Sequence, residues 1–137
     1  MTVRGSCLCG AAAFAIDTRD TPVVAFQYCH CSRCRKKSGS AHCANLFIAP
    51  EQFRWERGAE LVRRFELPGA RGFCSGFCTV CGSAMPWLGK TGKRYIVPAG
   101  ALDDDPGERP RRNLHFASRA AWYAPASELP TFDGEAS

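Results

Sequence analysis

The chain has 137 residues, 45% hydrophobic and 23% charged, which suits one globular domain and excludes a disordered chain too poor in apolar residues to offset its entropy. No apolar run approaches the roughly 20 residues of a membrane span, and Met1–Gly10 shows no charged-then-apolar export signal, so a cytoplasmic protein with no membrane partner is expected. The formal charge is 18 − 13 = +5; if seven cysteines bound two Zn²⁺ as thiolates, −7 + 4 would bring it to about +2, too small an excess to make nucleic acid an expected partner.

In chain order, short β-prone runs alternate with turn signals, as in an all-β domain. Candidate strands are Ala11–Ile16, Val23–Tyr28, His42–Ile48, Phe53–Trp55, Leu61–Leu67, Gly72–Phe77, Ala84–Leu88, Tyr95–Ala99 and Asn113–Phe116. Glycines and prolines such as Gly10, Pro22, Pro50, Gly58, Pro68-Gly69 and Pro106-Gly107 separate them. Ser32–Ser38 can form one or two helical turns, with Ser32 as the cap. No long amphipathic helix is visible, so the class is mainly β. Residues 1–124 form the expected domain, and the polar stretch 125–137 the expected C-terminal tail.

Nine cysteines in a chain without an export signal point to metal binding or thiol chemistry rather than disulfides. Seven fall in three tight groups: Cys7-Leu8-Cys9, Cys29-His30-Cys31-Ser32-Arg33-Cys34 and Cys78-Thr79-Val80-Cys81. A spacing of one or two residues lets a tight turn aim both sulfurs at one ion, and Gly10 and Gly82 follow the outer pairs where such a turn must reverse. The economical partition places Cys7, Cys9, Cys78 and Cys81 around one structural tetrahedral Zn²⁺. Cys29, Cys31 and Cys34 then form a second site with three protein ligands, which is how catalytic zinc differs from structural zinc. A soft, thiolate-rich site favours a fourth sulfur, so its natural chemistry is the capture of a substrate thiol as thiolate. Cys43, His42 and His30 remain alternative fourth ligands that would close it. Cys74 reads as a buried non-ligand.

Other residues invite roles beside these groups. Arg33, Arg35, Lys36 and Lys37 could hold carboxylates of a small acidic substrate, or simply solvate a turn, and Ser38 could donate a hydrogen bond to a ligand. Asp103-Asp104-Asp105 reads as an exposed turn, His115 as packed, and Trp55, Trp87 and Trp122 as core or rim. There is no Ser-His-Asp pattern, phosphate loop or dinucleotide fingerprint.

The pieces GSCLCG at Gly5–Gly10, YCHCSRCRKKSGSAH at Tyr28–His42, FCTVCGSAMP at Phe77–Pro86 and SRAAWY at Ser118–Tyr123 resemble the glutathione-dependent formaldehyde-activating enzyme family, which includes centromere protein V. The resemblance spans about Val3 to Tyr123. It implies a β-tent-like fold of small antiparallel sheets around two zinc sites, with Cys7, Cys9, Cys78 and Cys81 on the structural ion and Cys29, Cys31 and Cys34 on the catalytic one. The implied activity is that of a carbon–sulfur lyase acting on glutathione, or another thiol, and a small aldehyde. Cys43 and Cys74 lie outside the family pattern. The alternative is a zinc-stabilised module that binds protein or nucleic acid without catalysis.

Overall fold

The computed structural model describes residues 1–136; the last residue of the expected tail, Ser137, lies outside them. Eleven short strands and one helix follow in order: β1 (Thr2–Ser6), β2 (Ala13–Asp17), β3 (Ala25–Cys29), α1 (Ser32–Ser38), β4 (Cys43–Ile48), β5 (Phe53–Arg57), β6 (Val62–Glu66), β7 (Cys74–Cys78), β8 (Ala84–Met85), β9 (Trp87–Leu88), β10 (Tyr95–Pro98) and β11 (Asn113–Leu114). They form three small sheets of order β1-β2-β5, β11-β3-β4-β10-β9 and β6-β7-β8. Every pairing between these strands is antiparallel except β11 with β3. The mainly β class expected from the sequence is what the chain adopts.

Three differences from the sequence reading have local causes. Strand β1 was not among the candidates because its inward positions are Val3 and Gly5, and a glycine leaves no apolar alternation to read. Gly5 is needed there: a Cβ would lie 2.3 Å from Cζ of the buried Phe14 ring. The candidate strand Ala84–Leu88 divides into β8 and β9 at Pro86, which has no N–H to give a ladder. Helix α1 has the expected bounds, but its N-cap is Cys31 rather than Ser32, and the Cys31 sulfur accepts from the Cys34 amide at 3.3 Å.

The core gathers side chains from the first two sheets and β8. Val3, Phe14, Ile16, Leu46, Ile48, Met85 and Val97 are buried, and Phe53 and Trp55 pack at the Phe14 ring with centroids 5.7 and 6.2 Å away. Trp122 is 69% exposed, so it is neither core nor rim. Residues 125–136 contain a single 3-10 turn, Ala126–Glu128, and leave Leu129 and Phe132 exposed. No helix among the described residues is long and apolar enough to cross a membrane.

Candidate metal centres and the adjoining cavity

The first centre joins the ends of two sheets. Cys7 and Cys9 sit in the turn after β1, while Cys78 closes β7 and Cys81 lies in the turn beyond it. The two turns have the same form: Gly10 N donates to Cys7 O at 2.9 Å and Gly82 N to Cys78 O at 2.8 Å. Both glycines take left-handed backbone, with φ of 78° and 77°, which makes the reversal cheap only without a Cβ. The four sulfurs lie within 4.8 Å of one another.

The donor set fits a metal. A tetrahedral ion with metal–sulfur bonds of about 2.3 Å requires sulfurs about 3.8 Å apart. Cys7 and Cys9 Sγ are 3.5 Å apart, and Cys9 and Cys78 Sγ 3.9 Å. As thiols these groups cannot ionise independently. Cys81 is lowered to about 5, first by the Ser83 hydroxyl and then by backbone amides. At Cys9 the lowering by the Ala11 amide is outweighed by Cys7, desolvation and the other sulfurs, and the thiol is pushed up to about 11. A bound cation would reverse that crowding by favouring all four thiolates. Ser83, which the sequence reading passed over, bridges the two turns: its hydroxyl accepts from the Leu8 amide at 2.9 Å and, with its proton free, donates to Cys81 Sγ at 3.1 Å.

The second centre is built by one continuous segment. Cys29 ends β3, Cys31 caps α1 and Cys34 lies in the helix's first turn, with the three sulfurs within 4.8 Å of one another. No His, Cys, Asp or Glu ligand atom among the described residues joins them at that spacing. His30 is fully buried and faces away. Its Nε2 donates to Asn113 Oδ1 at 2.9 Å, its ring lies among His42, Phe116 and Tyr123, and its Nδ1 has no partner. His42 stacks on Tyr28 at 4.1 Å and donates from Nδ1 to its neighbour's carbonyl, Cys43 O. Cys43 is buried beside Cys34 and accepts from Asn45 Nδ2 at 3.3 Å. Only one of the pair ionises readily: Cys34 is pushed up, chiefly by Cys43 and then by burial, while Cys43 is lowered to about 7, chiefly by its bond with Cys34.

The hydrogen bond from His30 to Asn113 ties the Cys29–Cys31 segment to β11, and nothing in the sequence links residues so far apart. Asn113→Ala would leave a buried imidazole with no partner at either nitrogen, so a loss of about 1–3 kcal/mol is expected in urea unfolding. A midpoint equal to the native protein's would show that the bond holds nothing in place.

The basic cluster is spread out. Arg33 and Lys36 are exposed, Arg35 is half-buried with its Nε unpartnered, and Lys37 Nζ lies 4.5 Å over the Trp87 ring. Ser38 donates its hydroxyl proton to Cys34 O at 2.7 Å, within its own helix. Asp103 and Asp104 accept from Ser6 and the Arg4 amide, and Asp105 is lowered to about 2 by Arg109. His115 is exposed rather than packed, and it is the only non-glycine with left-handed backbone among the described residues, at φ 53°. Cys74 is buried, as expected, and accepts from Arg64 at 3.3 Å.

A cavity of about 230 Å³ adjoins the second centre between the five-stranded sheet and β7, and Cys29, Cys34, Cys43 and Cys74 all line it. A larger depression of about 550 Å³ shares Trp87 with it but is lined by no cysteine, so the smaller one adjoins the sulfur chemistry.

Known proteins are similar over a span that includes both centres. The family model described as glutathione-dependent formaldehyde-activating enzyme covers residues 2–118. A Halomonas elongata protein, provisionally named a glutathione-dependent formaldehyde-activating enzyme, is 30% identical over 132 residues, spanning 89% of this chain and 80% of its own. A crystal structure of a Rhodobacter sphaeroides protein superposes with a TM-score of 0.58 at 25% identity, covering 78% of this chain and 97% of that one.

Proposed function

The chain belongs to the glutathione-dependent formaldehyde-activating enzyme family, and we propose that it is a zinc-dependent carbon–sulfur lyase acting on glutathione and an aldehyde, or on their adduct. The observation that carries this reading is the asymmetry of the two centres: four sulfurs in one and three in the other. In the proposal, Cys7, Cys9, Cys78 and Cys81 hold a structural ion, and Cys29, Cys31 and Cys34 hold a catalytic one. That second ion would supply a soft Lewis acid able to keep a substrate thiol ionised near neutral pH.

The chain's own residues do the rest. The Cys34 amide directed at Cys31 Sγ and the His30–Asn113 bond hold the three sulfurs in place. The exposed Arg33 and Lys36 of α1, with the half-buried Arg35, offer positive charge to the carboxylates of glutathione. Ser38, whose hydroxyl proton is directed at Cys34 O, would turn from that bond to donate to a ligand. In the reaction a bond forms between the thiol sulfur and the carbonyl carbon, and the thiol proton ends on the carbonyl oxygen. Nothing is oxidised or reduced. A cytoplasmic location belongs to the same proposal, since a reducing, glutathione-rich compartment suits nine unpaired cysteines.

Exchange NMR on glutathione with ¹³C-formaldehyde tests this reading. The interconversion of free and adduct signals should quicken in proportion to the zinc-loaded protein. Exchange no faster than that given by equal zinc and an unrelated protein would contradict it.

A further inference from the structure

The cavity beside Cys29 and Cys34 is far larger than formaldehyde needs. At about 30 Å³ for each water-sized unit, its 230 Å³ holds about eight, whereas formaldehyde has two heavy atoms. Its walls include Phe47, Phe73, Trp87 and Leu114, and no Asp, Glu, Lys or Arg lines it. The γ-glutamyl and glycyl ends of glutathione are charged and would be costly to place there. Two amides, with the exposed His115, supply the polar part. Gln27, 92% buried, accepts from Arg112 Nε at 2.8 Å through its oxygen, which leaves its NH₂ to donate. Asn45 is engaged with Cys43 through its nitrogen.

Resting on the reading that the Cys29–Cys31–Cys34 centre holds the thiol, we infer that this cavity receives the body of the carbonyl partner, and that the preferred partner is an aldehyde with an aromatic or medium-length apolar chain. The sulfur side, the Gln27 donor and the apolar walls correspond to the three parts of such a substrate: reacting carbon, carbonyl oxygen and hydrocarbon body. Addition is balanced as before, with one carbon–sulfur bond formed and the thiol proton moved to the carbonyl oxygen.

Gly72 lies on the lining with open space where a Cβ would stand and no left-handed backbone, so Gly72→Leu narrows the cavity without strain. Two measurements test the inference. Calorimetric titration with benzamide, an unreactive aromatic carbonyl compound, should give saturable binding that acetamide lacks and that Gly72→Leu weakens at least fivefold. In exchange NMR, acceleration over the uncatalysed addition should be at least tenfold greater for benzaldehyde or hexanal than for formaldehyde, and Gly72→Leu should reduce that ratio. Formaldehyde turnover without benzamide binding or any gain for larger aldehydes would overturn the inference and leave the lyase reading standing. Benzamide binding without turnover of any aldehyde would overturn the lyase reading and support the cavity's apolar preference. Displacement of benzamide by γ-Glu-Ala-Gly, which lacks the thiol, would assign the cavity to the tripeptide and overturn the inference.

Discussion

Replacing Cys78 with serine should leave a protein that is insoluble or rapidly proteolysed. Cys78 is fully buried at the end of β7, and its sulfur lies 3.9 Å from that of Cys9, so the four-sulfur cluster joins the β1-β2-β5 sheet to the β6-β7-β8 sheet. Binding at such a site is folding energy, about 10–16 kcal/mol for structural zinc in small domains. A domain of this size has a total margin of about 5–15 kcal/mol. Losing one thiolate therefore removes a share of stability comparable with the whole. Soluble Cys78→Ser protein with the native melting temperature and metal content would show that the cluster is not structural.

The three cysteine groups were legible because each is local: ligands one or two residues apart, each outer pair followed by a turn glycine, can be read without knowing the fold. The strands were legible for the same reason wherever apolar residues alternate. Strand β1 was not, because Gly5 stands where an apolar residue would have signalled its inner face. The features that shape the site depend on distant segments. Asn113 meets His30 only because β11 lies parallel to β3, and Ser83 meets Leu8 only because the two turns face each other.

The cavity was hidden in the same way. Cys43 and Cys74 belong to different sheets, and only the fold brings them to one lining. His115 was expected to pack because it follows Asn-Leu in an apolar-flanked run. It is exposed instead, on left-handed backbone, and lines the cavity.

Cys31→Ser should have the opposite character to Cys78→Ser: a folded protein without activity. Cys31 is the N-cap of α1, and serine is among the strongest N-caps, so the hydroxyl can take over the Cys34 amide and preserve the helix. What disappears is one of three sulfurs. Loss of outer-shell partners alone costs metal sites about 10–100-fold, so loss of a ligand should reduce glutathione-dependent turnover by at least about a hundredfold. Unchanged melting with turnover near the native level would remove Cys31 from the site.

The central claim is that one centre is complete with four protein sulfurs and the other accepts a sulfur from outside. Cobalt substitution reads it directly, through the intensity of the sulfur-to-metal charge-transfer band. The protein should take up two cobalt ions, and added glutathione should strengthen the band by about one further thiolate's worth in the native protein and not in Cys31→Ser. If the native spectrum already corresponds to four sulfurs on each ion and glutathione leaves it unchanged, Cys43 closes the second centre and the lyase reading is contradicted.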